Sequence, residues 1–242
     1  MSKAPFPTLL TKHCTPAVRK FMLDGRFKIG TLREFRACEL ATGAFSDAGE
    51  GTSVIAIKGD VRNASFSIGN NVFSNNTFIG NGTAIVVSHE LDANAFCAST
   101  GPYNTKRHEI LMGETAGYKG NPEWTAHLIL NTERLIGALK ALQASAARPT
   151  ILGCGPIRYD KRELEGVQFD IPALINDQRR LQHALDCVFV KPKRFSIEEE
   201  FRIGLIPTTG GGPCDTLWTA DSPGLMEMFR GAVEDEGSDQ PR

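Results

Sequence analysis

At 242 residues the chain is long enough to bury a substantial core without disulfide or metal staples. Its 27 Lys and Arg against 28 Asp and Glu leave a formal net charge of -1, so no global field holds a nucleic acid or an anionic membrane. No window reaches the roughly 18 apolar residues of a membrane span, and MSKAPFPTLL lacks the apolar run of a secretory signal.

The six cysteines, at 14, 38, 97, 154, 187 and 214, form no C-x-x-C pair and no zinc spacing with histidine. They predict reduced thiols in a cytoplasmic protein that binds no metal. From the N-terminus, a short strand ending near His13 precedes Thr15 as an N-cap, Pro16 at the first helical position and Gly25 as a left-handed stop. Thr31 is placed to cap a second helix through LREFRACE, where Leu32, Phe35 and Cys38 or Glu39 share a face. Residues 52–100 alternate branched or aromatic residues with Asn and Gly, which predicts consecutive antiparallel strands. Gly80 and Gly82 then read as hairpin punctuation and not as a phosphate loop.

Further on, WTAHLIL predicts a strand, with Asn131 or Thr132 capping a helix whose Leu135, Ile136, Leu139 and Leu142 recur at packing intervals. PTILGCGPIRYD reads as strand and turn, Asp170 as the cap of a helix to about Leu185, and CVFVKP as another strand. A short helix near SPGLMEMFRGA is expected to dock through Leu225, Met228 and Phe229. These elements predict an α+β fold of mostly antiparallel strands in one domain over residues 1–230, with an acidic, disordered tail over 231–242.

The segment KPKRFSIEEEFRIGLIP concentrates the chemistry. In a strand, Phe201, Ile203 and Leu205 would face a core, while Glu198, Glu200 and Arg202 would face the other way. The glutamates fit three readings: a capping box from Ser196 to Glu199, a charged edge against sheet pairing, or one wall of a site in which two carboxylates face a common cleft. The basic residues of KPKR read as a solvated edge. His89, His108, His127 and His183 lack ligand spacing, Cys97 between Phe96 and Ala98 reads as core, and Trp124 and Trp218 read as core or lid contacts.

The stretches HCTPAVRKFMLDGRFKIG, GTLREFR and KPKRFSIEEEFR together resemble the ADP-ribosyltransferase superfamily, in particular a bacterial branch with G-T-L-x-x-F-R and K-P-x-x-F-x-x-E-x-E-x-R segments. The resemblance implies a split, mostly antiparallel sheet and NAD as substrate. By it, His13 contacts the NAD ribose or a neighbouring phosphate, and Glu200 binds the nicotinamide ribose. Glu198 activates an acceptor, and Arg202 holds Glu200 or the pyrophosphate. FCAST supplies Ser99 and Thr100 as the middle motif, and Tyr103 or Tyr118 the aromatic that stacks on nicotinamide. The sequence departs from the common patterns in having Cys14 after His13 and a single serine in AST. The implied activity is transfer of ADP-ribose to a cellular macromolecule, protein or nucleic acid, by a toxin or anti-phage effector. Two rivals are an NAD glycohydrolase on the same site and a catalytically silent nucleotide- or protein-binding module of the same fold.

Overall fold

The computed structural model describes residues 6–42, 51–58, 61–68, 71–78, 83–115, 118–145, 149–160, 163–165, 188–208 and 214–234. Strand β1 (Leu9–Cys14) leads into helix α1 (Pro16–Leu23), and β2 (Lys28–Thr31) into α2 (Leu32–Thr42). Strands β3 (Thr52–Lys58), β4 (Val61–Ile68), β5 (Asn71–Phe78), β6 (Thr83–Glu90) and β7 (Asn94–Thr100) follow, then α3 (Thr105–Met112). After β8 (Glu114–Thr115), β9 (Tyr118–Lys119) and β10 (Ala126–Asn131) comes α4 (Thr132–Ser145). The remaining described elements are β11 (Thr150–Pro156), β12 (Arg158–Tyr159), β13 (Glu163–Glu165), β14 (Val190–Lys191), a 3₁₀ helix (Lys193–Glu198), β15 (Glu200–Pro207), β16 (Leu217–Trp218) and α5 (Pro223–Arg230).

Local chemistry sets the helix starts. The Thr15 hydroxyl accepts from Val18 N, ahead of Pro16, and Gly25 ends that unit with φ 79°. Thr31 and Glu34 exchange bonds, the Thr31 hydroxyl accepting from Glu34 N and the Glu34 carboxylate from Thr31 N, both at 3.0 Å. Asn131 Oδ1 accepts from Arg134 N, and the Ser222 hydroxyl from Leu225 N.

The main sheet is antiparallel and runs β10-β1-β7-β15-β11. The β3 to β6 excursion folds on itself: β3 pairs β6, while β4 and β5 form a pair of their own between them. Strand β7 is the centre of the main sheet. One of its edges pairs with β15 from Asn94 to Ser99. The other is shared, by β1 at Ser99 and Thr100 and by β2 at Asn94 and Ala95. Between them the sheet forks, and the Lys12 ammonium donates to Cys97 O at 2.7 Å, satisfying a carbonyl that has lost its ladder partner.

Alternation separates the two faces. Leu10, Phe96, Ala98, Leu128, Leu130, Phe201 and Ile203 form one core with Met22 of α1, Leu135, Ala138, Leu139 and Leu142 of α4, and Phe229 of α5. Packing helices on one face of an antiparallel sheet gives an α+β architecture, as expected. Four expectations are corrected. The strand anticipated through CVFVKP shrinks to Val190–Lys191, because Val188 O accepts from Arg202 Nη1 at 2.6 Å and not from a neighbouring strand. Met228 is 44% exposed while Phe229 is buried, since the stripe of α5 runs through Leu225 and Phe229 at i,i+4. Trp218 is 54% exposed, with Lys28 over its ring, and is no core residue. The disordered tail expected from residue 231 is corrected over 231–234, where Ala232 is fully buried in the main core, its carbonyl accepts from Asn131 N at 2.8 Å and Val233 bridges Leu130. Gly80, Gly82, Asp170 with its helix, and residues 235–242 lie outside the described residues. Among the described residues no helix is long and apolar enough to cross a membrane.

Candidate functional site

The sheet face opposite the main core holds the titratable groups. Register aligns Thr11 with Ser99 and Ser99 with Glu200, so β1, β7 and β15 turn His13, Ser99, Cys97, Glu200 and Arg202 to the same side. His13 and Glu200 stand two strands apart, about 10 Å across the sheet, and two residues, about 7 Å, along it. A smaller apolar cluster of Leu111, Tyr118 and Phe195, with Tyr159 and Ile197, covers part of this face.

Around Glu200 the side chains form a buried ionic network. Arg202 places Nε at 2.8 Å and Nη2 at 2.7 Å from Glu200 Oε1. The Lys191 ammonium lies 2.7 Å from Glu200 Oε2 and 2.8 Å from Glu198 Oε2, so one cation bridges two carboxylates. All four residues are buried, and the Lys191 ammonium also rests over the Phe195 ring. Glu200 N donates to the Tyr159 hydroxyl at 2.7 Å.

The two glutamates differ in what they hold. Burial opposes the charge of Glu200, but Arg202 and Lys191 overcome it and keep this carboxyl well below the usual range. Burial pushes Glu198 up to about 7; Lys191 opposes that rise and the Glu200 charge adds to it. Glu198 Oε1 is buried with no hydrogen-bond partner among the described residues. Glu199 between them adopts the left-handed region, φ 42°, which turns the chain from the 3₁₀ helix into β15. That reversal lets Glu198, outside the strand, meet the same ammonium as Glu200. The residue expected to start a capping box is therefore inside a 3₁₀ helix that begins three residues earlier.

A second cluster surrounds His13. Strand pairing sets it opposite His127, and α3 brings His108 so that the two Nδ1 atoms of His13 and His108 lie 2.7 Å apart. One must donate and the other accept, which requires opposite tautomers. Tyr103 stacks on His127 with ring centroids 3.7 Å apart and 13° between planes. Burial lowers the His13 pKa to about 3, helped by His108, His127, Lys12 and Arg107, so the ring is neutral at physiological pH. Its Nε2 is buried without a hydrogen-bond partner among the described residues. Arg107 ties the clusters together by donating to Thr100 O at 2.8 Å and pairing with the Glu199 carboxylate.

Of the residues anticipated from sequence, His13 and Tyr103 meet in one cluster and Glu198, Glu200 and Arg202 in the other. The Ser99 hydroxyl lies between them but donates to Glu198 O at 2.8 Å. Thr100 alternates to the opposite face, so the two hydroxyls of the middle motif do not share a cleft. Tyr118 is buried against Phe195 in the cover of the glutamates, away from the stacked histidines. Burial pushes the Cys97 thiol up to about 12, which leaves it a thiol and no nucleophile.

Sequence reasoning missed three partners. Lys191 was expected on a solvated edge, yet of the KPKR run it is buried while Lys193 and Arg194 are exposed. The signal was its place directly after the apolar VFV run. His108 and His127 join His13 only through tertiary packing. No group of His, Cys, Asp or Glu suited to a metal occurs among the described residues. No known protein family, curated protein or solved structure matches this chain.

Proposed function

We propose that this face cleaves NAD at the bond between nicotinamide and ribose and transfers ADP-ribose to a macromolecular acceptor, as the resemblance to ADP-ribosyltransferases implies. The observation that supports it is the placement of His13 and Glu200 on one face of one sheet, either side of β7, with Glu198 brought beside Glu200 from the end of the 3₁₀ helix. As the glycosidic bond breaks, its electron pair leaves with nicotinamide and positive charge grows on the ribose. A fixed carboxylate at Glu200 stabilises that charge more in the transition state than in the ground state. The acceptor then bonds to the ribose carbon and its proton passes to Glu198, whose Oε1 has no hydrogen-bond partner among the described residues. Neutral His13 and the Tyr103–His127 stack offer a ribose contact and an aromatic platform.

A proton acceptor must start unprotonated. With Glu198 raised to about 7, the rate is expected to climb as pH rises through that region and level above it. Glu198→Gln should abolish this limb together with most of the transfer.

One observation favours a second reading, a silent module that binds a nucleotide or protein. Both Glu200 oxygens are taken by Lys191 and Arg202. The deciding experiment measures nicotinamide release from NAD by the purified protein, with and without cell lysate, beside Glu200→Gln. Transfer predicts lysate-dependent release that falls about 10²-fold or more in the variant. Release without lysate would make water the acceptor. Binding of NAD by folded protein with no release would support the silent module.

A further inference from the structure

We infer that Lys191 is a positioning residue that holds Glu198 and Glu200 as an unequal pair, one carboxylate fixed as an anion and the other able to gain and lose a proton, by bridging both with a single ammonium. The inference rests on the reading of these glutamates as the reacting pair.

The geometry gives the two carboxylates different shares of positive charge. Glu200 has Arg202 on one oxygen and Lys191 on the other, whereas Glu198 has Lys191 on Oε2 and, among the described residues, no hydrogen-bond partner on Oε1. Two carboxylates so close, buried and unbridged, would not both ionise near neutral pH. Lys191 makes the second ionisation accessible. Among the described residues the remaining ionisable neighbours are Tyr118, Tyr159 and Cys97, and burial raises the pKa of all three, so none of these supplies a competing charge near neutrality. Lys191 itself is set by its ring contact with Phe195 and by the Pro192 that follows it, not by solvent.

The test is a carbon-13 titration of the glutamate carboxyl carbons, read beside the nitrogen-15 signal of the Lys191 ammonium. In the wild-type chain the Lys191 signal should move with the same midpoint as Glu198. In Lys191→Met the Glu198 midpoint should rise by at least one pH unit, a tenfold gain in proton affinity, and Lys191→Arg should restore most of the difference. The acid limb of nicotinamide release should move with it.

A folded Lys191→Met protein with an unshifted Glu198 midpoint overturns the inference. So does a Lys191 signal that ignores the Glu198 titration, a result that needs no variant to fold. Because these signals do not require turnover, a protein that never releases nicotinamide can still pass or fail, which separates this inference from the function proposed above.

Discussion

Glu199 sits in the left-handed region with its side chain half exposed and paired with Arg107. That conformation costs a non-glycine residue on the order of 1–2 kcal/mol. Glu199→Gly relieves it but frees the unfolded chain, so its stability in urea is expected within about 0.5 kcal/mol of wild type. Glu199→Val, branched at Cβ, should lose about 1–2 kcal/mol more. His13 bears on pH. Its folded pKa of about 3 lies below the usual 6.5, so between those values the unfolded chain binds more protons and stability falls on acidification. Replacing it with Gln should flatten the loss between pH 7 and 4.5 by up to about 2–3 kcal/mol, read from urea midpoints. At this scale Glu198, Glu200 and His13 were legible because a run of three glutamates ahead of a strand and a histidine ending the first strand stand out in the sequence, and the structure turns His13 and Glu200 to one face. Lys191 was missed because its four-residue charge run reads as solvated, and only its position directly after VFV sets it apart from Lys193 and Arg194.

Helix α1 meets α5 across a glycine, and the contact shows what an element-level constraint looks like. A Cβ on Gly25 would lie 2.0 Å from Met226 O, and φ there is 79°. Gly25→Ala is therefore expected to cost about 2 kcal/mol or more, and to loosen α5 before the sheet, as amide exchange on α5 would show. In α4, Leu139 is fully buried, and Leu139→Ala should cost about 2–5 kcal/mol in the same urea assay. Capping residues and helical stripes were legible, since Thr15, Thr31 and Asn131 act through neighbours three residues away. The strand expected before Pro192 was not, because the carbonyl that would have extended it goes to a guanidinium fourteen residues on.

Across the molecule, β7 is the central strand of the main sheet. It pairs with β15 along one edge and divides the other between β1 and β2. Its amides should exchange slowest of all, at rates set by global unfolding. The α+β class was legible from alternation and helical spacing, but the fork was not, because strand order depends on pairings far apart in sequence. Those pairings also set a timetable for synthesis. Ser99 and Glu198, joined by a hydrogen bond in the finished protein, are 99 residues apart in the chain. At the usual ribosomal pace of about 5–20 residues per second, β7 waits roughly 5–20 s for β15 with that edge bare. For that interval the nascent chain presents a hydrophobic strand edge to its surroundings, and the strand that ends the exposure is the one that delivers Glu200.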